Sequence, residues 1–129
     1  MTQKFTLGAA IAVAVSSITA FAGASDYAFG PVSAQVKKGD DVIVSVRLKH
    51  EPTGKMVSGA VIVQTRIDMA PEGMAEMSAP LTAVPSTEPG VYSFKTDLSM
   101  QGQWLLSIAA KVQGEPETVL GKITFRASR

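Results

Sequence analysis

Trp104-Leu-Leu-Ser-Ile-Ala-Ala-Lys-Val112 decides the fold. Trp104, Leu106, Ile108, Ala110 and Val112 recur at every second position, the spacing that puts side chains on one face of a β-strand. Working outward, the same period returns in both directions. Val119, Ile123 and Phe125 alternate with Lys122, Thr124 and Arg126, and Tyr92, Phe94 and Leu98 with Ser93, Lys95 and Asp97. Val42, Val44, Val46 and Leu48 alternate with Ser45, Arg47 and Lys49. Between Val57 and Met69 the odd positions Val61, Val63 and Ile67 are expected inward, with Gln64, Arg66 and Asp68 outward. A further strand is expected within 26–36 and a weak one within 78–84.

Turn-forming residues separate the runs: Lys37-Lys-Gly-Asp40, Glu51-Pro-Thr-Gly54, Glu88-Pro-Gly90 and Gln113-Gly-Glu-Pro116. Short strands with one polar face each, and no long helical period, predict an all-β protein. The expected form is an immunoglobulin-like antiparallel two-sheet sandwich of about seven strands. The Cys-Trp-Cys pattern of true immunoglobulin domains is absent, because the chain has no cysteine.

Residues 1–24 read differently. Lys4 supplies a positive start, Phe5 to Val15 is a short apolar stretch, and Ala20-Phe-Ala22 and Ala22-Gly-Ala24 both match a cleavage pattern. The stretch is shorter than the ~20 apolar residues of a membrane span. The reading is a helical signal peptide cleaved after Ala22 or Ala24, with an uncleaved anchor as the alternative. One domain, 25–129, then follows in the periplasm. Without Lys4 the chain has 11 basic and 11 acidic residues, so net charge offers no case for nucleic acid or an anionic membrane surface. An exported domain without cysteine has no disulfide staple and relies on its core.

Catalysis finds little support. The chain holds one histidine, no cysteine, and none of the G-x-S-x-G, H-E-x-x-H or phosphate-loop motifs. The sharpest chemical signal is Asp68-Met-Ala-Pro-Glu-Gly-Met-Ala-Glu-Met77, which gathers Met69, Met74 and Met77 out of six methionines. Thioethers are soft ligands that suit Cu(I). Pro71 is tolerated at the start of a helical turn, so a turn over 71–77 would put Met74 and Met77 on one side, with Met69 arriving from the preceding strand. Three thioethers converging there would form a trigonal Cu(I) site that carries no protons to lose at low pH.

Other readings stand beside this one. Met69 shares the parity of Ile67 and closes the core on that reading, while Met74 and Met77 cap the end of the sandwich or form a partner surface. His50 reads as a solvated turn histidine or an auxiliary ligand. Met100 reads as a turn residue or an auxiliary ligand. Trp104 shares the parity of Leu106 and Ile108 and is expected to anchor the core rather than cover a cation.

Gly54-Lys-Met-Val-Ser-Gly-Ala60, Pro89-Gly-Val-Tyr92 and Met100-Gln-Gly-Gln-Trp104 occur in this order together with the methionine stretch. In that combination, from Val42 to Phe125, the chain resembles the YtkA-like/FixH-like family of exported β-sandwich domains. The resemblance implies a copper-linked accessory role beside a heavy-metal efflux pump of the RND type or an oxidase-assembly component. It implies Met69, Met74 and Met77 as metal candidates, and Tyr92, Gly102 and Trp104 as structural residues. The histidine-plus-methionine clusters of periplasmic copper carriers are missing, which points to Cu(I) or Ag(I) rather than Cu(II). The alternative is a non-catalytic module that docks on a transporter or oxidase-assembly complex without metal.

Overall fold

Ten strand segments build two sheets in the computed structural model, which describes residues 24–129. The expected signal peptide lies outside the described residues except for Ala24, which opens a short 3-10 turn, Ala24–Asp26. The strands are β1 (Tyr27–Pro31), β2 (Gln35–Lys37), β3 (Gly39–His50), β4 (Lys55–Met56), β5 (Val61–Met69), β6 (Met74–Ala79), β7 (Leu81–Val84), β8 (Val91–Leu98), β9 (Gly102–Lys111) and β10 (Val119–Ser128). The first sheet runs β1-β3-β8-β7, with β4 also paired to β3. The second runs β2-β10-β9-β5-β6. The protein is an all-β, immunoglobulin-like sandwich.

The alternation of β9 does what its sequence demands. Trp104, Leu106, Ile108 and Ala110 are buried, and on β10 so are Val119, Ile123 and Phe125. Trp104, Leu106, Ile108, Ile123 and Phe125 meet Val44, Val46, Phe94 and Leu98 of the first sheet in one apolar cluster. Leu48, Val112 and Val119 form a smaller cluster at one end of the sandwich, which we call the near pole. Each large aliphatic or aromatic side chain removed from water there contributes about 1.5–3 kcal/mol. Thr96 is also buried, and its hydroxyl has no hydrogen-bond partner.

The count of strands exceeds the expected seven because two of them divide and because the short β4 adds a tenth after the Glu51–Gly54 turn. The segment expected within 26–36 forms β1 in the first sheet and β2 in the second, changing sheets after Pro31. The segment expected within 78–84 begins earlier, at Met74, and changes sheets at Pro80 between β6 and β7. Proline cannot donate to a ladder, so it suits the point where a strand leaves one sheet. Both flanks of the sandwich are thereby closed by a continuous chain, and all four sheet edges are short halves of these divided strands. One pairing also departs from the expected antiparallel pattern: β2 runs parallel to β10, with Gln35 beside Arg126.

The parity assigned to β5 needs correction. Val61 and Val63 are 61% and 49% exposed, whereas Ile62 packs on the core. The cause is a β-bulge at Val63. Ile62 pairs with Ala110 but Gln64 with Ala109, leaving Val63 unpaired. One extra residue reverses the facing of everything before it. After the bulge the expected parity holds, with Ile67 and Met69 inward.

Two of the sequence motifs meet at the near pole. The Tyr92 hydroxyl donates to the Val57 carbonyl at 2.6 Å and accepts from the Ala60 N–H at 3.0 Å. Gly90 has φ 77°, and a Cβ there would stand 2.6 Å from the Cβ of Met56. The Pro89–Tyr92 segment therefore locks onto the Met56–Ala60 segment through backbone and hydroxyl contacts, and the role of Tyr92 is structural.

Candidate functional site

Asp68 organises the far pole. Its side chain is buried, with one oxygen accepting from the Ala70 N–H at 2.9 Å and the other from Arg66 Nε at 2.8 Å. Arg66 Nη2 reaches across to the Ala75 carbonyl at 2.8 Å. These bonds hold both ends of a tight reversal. Pro71 fits the first turn of a 3-10 helix, Ala70–Glu72, and Gly73, at φ 78°, ends it in the left-handed region where glycine is unstrained. The chain comes straight back as β6, so that Met74 lies opposite Met69 in the β5–β6 ladder.

The expected helical turn over 71–77 is therefore shorter than predicted, because Gly73 terminates it. Met74 and Met77 lie on β6, and no helical i, i+3 relation joins them. Both are half-buried against the core, through an irregular pairing with β5. Met69 is 1% exposed and belongs to the core, as its parity suggested.

Met69 and Met74 nonetheless share a cleft of about 360 Å³, which Glu72, Gln101, Gly102 and Arg126 also line. Glu72 accepts a hydrogen bond from the Gln103 N–H at 2.8 Å, which fixes its carboxylate over the start of β9. Gly102, at φ 133°, makes room for this: a Cβ there would lie 2.9 Å from Glu72 Oε2 and 3.0 Å from the Met69 methyl. Trp104 is buried, and its Nε1 donates to the Met100 carbonyl at 3.0 Å, tethering the loop into β9. The methionine stretch and the Met100–Trp104 motif are thus one assembly.

The remaining predicted residues scatter. Met77 does not line the cleft. Met100 contributes its carbonyl to Trp104, while its side chain is 40% exposed and outside the cleft lining. His50 ends β3 at the near pole, beside the Leu48 cluster. Its Nδ1 lies 2.8 Å from Thr53 Oγ1 and its ring 5.0 Å from that of Tyr27. It takes no part in the methionine cleft. The Tyr27 phenol at that pole is pushed above its ordinary value of 10.0, by burial first and then by the charge and hydrogen bond of Glu115.

Sequence reading missed Glu72 and Arg126 as cleft residues. The sequence places Glu72 within the methionine stretch without assigning it to the site, and Arg126 only as an outward residue of its strand. Their convergence depends on how β10 and the reversal meet in space. A larger cleft of about 430 Å³ lies at the near pole, between Gly59, Ile62, Ala83, Pro89, Tyr92 and Phe94. Its lining holds no thioether and, of ionisable groups, only Glu88 and Tyr92. Among the described residues no three His, Cys, Asp or Glu side chains stand together as a metal-binding group.

No curated protein matches the chain. Among solved structures, it is similar to the filamin domain of Lin-41 at 20% identity and a TM-score of 0.44, covering 74% of this chain and 91% of that one. The ZirS C-terminal domain aligns at 12% identity and a TM-score of 0.44, over 98% and 78% of the two chains. FdeC, an Escherichia coli adhesin, aligns at 20% identity and a TM-score of 0.41, over 81% of this chain but 31% of the adhesin. The sequence pattern of the YtkA-like family matches residues 21–109, more than half of the chain, and the chain belongs to that family.

Proposed function

We propose that this YtkA-like domain is an exported, non-catalytic accessory protein that takes up Cu(I), or Ag(I), at the far-pole cleft. A heavy-metal efflux pump or an oxidase-assembly component would receive the ion. The observation that carries this reading is the cross-strand pair of Met69 and Met74 lining one cleft with the Glu72 carboxylate. Two thioethers supply soft donors, and the carboxylate offsets the charge of a monovalent cation. The donor set fits a weakly held, transferable ion. Met77 is left to pack the core beneath β6.

Titrating reduced protein with Cu(I) against a chromogenic chelator tests the reading. Replacing Met69, Met74 and Met77 together by Leu roughly conserves volume and keeps the fold. The expected result is at least about a tenfold loss of Cu(I) affinity, the loss of a net ligand interaction worth ~1.4 kcal/mol or more. Met74→Leu alone accounts for much of it, whereas Met77→Leu and His50→Ala leave affinity unchanged. Undiminished binding by the triple variant overturns the site.

A second reading has its own observation. Met69 is almost wholly buried and Met77 packs on the core, as expected of thioethers that cap a sandwich. On that reading the domain is an interaction module without metal.

A further inference from the structure

The two outer faces of the sandwich differ in charge. On the first sheet's strands, two of the three lysines have carboxylate neighbours: Lys49 lies 3.5 Å from Glu51, and Lys95 lies 3.9 Å from Asp41, while Lys55 and Arg47 have no ion pair among the described residues. The second sheet is unlike it. Register places Lys37 and Gln35 of β2, Lys122 and Arg126 of β10, Lys111 of β9 and Arg66 of β5 on one outward surface. Only Arg66 has an ionic partner among the described residues, Asp68 at 2.8 Å. Lys111 reaches a hydroxyl, Thr118 Oγ1 at 3.3 Å. Glu76, at the β6 edge, is the other acidic residue of that sheet's strands. Four cations without an ion pair among the described residues, Lys37, Lys111, Lys122 and Arg126, thus lie on the second sheet's outward surface, against Arg47 and Lys55 in the first sheet.

The same face is apolar at its centre. Leu120, 73% exposed, pairs across the ladder with Ala109, and Ser107 with Lys122. These small residues leave a groove of about 240 Å³ between Gln64 and Arg66 on one side and Leu120 and Lys122 on the other. An apolar recess inside a polar, charged rim is the anatomy of a protein-binding surface. Isolated exposed leucines are ordinary, but this one borders a recess, with Lys122 two residues along its own strand and Lys111 two residues beyond its partner Ala109 on β9. A bilayer surface presents no side chain to fill a recess, whereas an acidic polypeptide presents both charge and side chain.

We propose that the outer face of the β2-β10-β9-β5 sheet docks an acidic segment of a partner protein, with an aliphatic side chain of that segment seated between Arg66 and Leu120. Lys37, Lys111, Lys122 and Arg126 steer the approach and form the rim. This inference does not rest on metal binding at the far pole, since its groove holds no thioether.

An acidic peptide of alternating Glu and Leu serves as the probe, titrated into isotope-labelled protein while backbone amides are followed by NMR. The expected result is displacement of the Leu105, Ser107, Ala109, Leu120 and Lys122 signals, weakening as salt rises. Lys111→Glu combined with Lys122→Glu should reduce affinity by about tenfold or more, as charge reversal at a steered interface does. Lys95→Glu on the opposite face should leave it unchanged, and a Glu-Gly peptide should bind more weakly than the Glu-Leu one. Absence of displacement at millimolar peptide, or displacement centred elsewhere, overturns the proposal. So does equal binding by the charge-reversed protein. Vesicles containing phosphatidylglycerol that bind through the same lysines while the peptide does not would reassign the face to membrane, also overturning it.

Discussion

Tyr92 illustrates how much one polar atom can organise. Its hydroxyl both donates to Val57 and accepts from Ala60, so it replaces ladder bonds for a segment that has left the sheet. Tyr92→Phe removes the atom and leaves those backbone groups without their partner. The expected cost is about 1–3 kcal/mol, the penalty for unsatisfied polar groups, measurable by chemical denaturation. An unchanged midpoint would mean that water takes the hydroxyl's place. Gly102 works by absence instead. Its missing Cβ is the space into which the Met69 methyl and the Glu72 carboxylate approach. Tyr92 was legible from its motif, but the sequence did not show what its hydroxyl held. Glu72 was harder to recognise, because its partner, the Gln103 N–H, lies 31 residues away.

At the scale of elements, legibility followed the regularity of the ladder. β9 and β10 pair over a long unbroken register and β3 and β8 pair without a break from Val42 to Arg47, and their apolar parity was correct wherever pairing is continuous. β5 failed before Val63 because a bulge changes facing without any change in composition, and Val61, Ile62 and Val63 are equally apolar. The divided strands failed for a related reason. Pro31 and Pro80 mark a break, but where the chain goes after the break is set by packing. Strand β9 sits between β10 and β5, two long partners, whereas β4 and β7 are short. Amide hydrogen exchange should therefore be slowest across 104–110 and fastest in β4 and β7. Faster exchange in β9 than in β7 would contradict this order of local stability.

At the scale of the whole molecule, the conspicuous motifs fall into two separate assemblies. Gly54–Ala60 with Pro89–Tyr92 secures the near pole, and Asp68–Met77 with Met100–Trp104 secures the far one. The first is a hydroxyl and backbone lock. The second adds a cleft lined by thioethers and a carboxylate, the ion site proposed above, whereas the larger near-pole cleft has no thioether in its lining. Proximity in sequence gathered three methionines, but only Met69 and Met74 share the cleft, because the left-handed Gly73 sends the chain back as a strand. His50 was separated from them by the length of β3, twelve residues or about 36 Å of extended chain.

The most direct measurement follows the methionine methyl signals by NMR as reduced protein is titrated with Cu(I). The proposed far-pole site predicts that the Met69 and Met74 methyls shift together and saturate, while those of Met56, Met77 and Met100 stay in place. Shifts confined to the exposed Met56 and Met100, or no shift at Met69 and Met74, would contradict it.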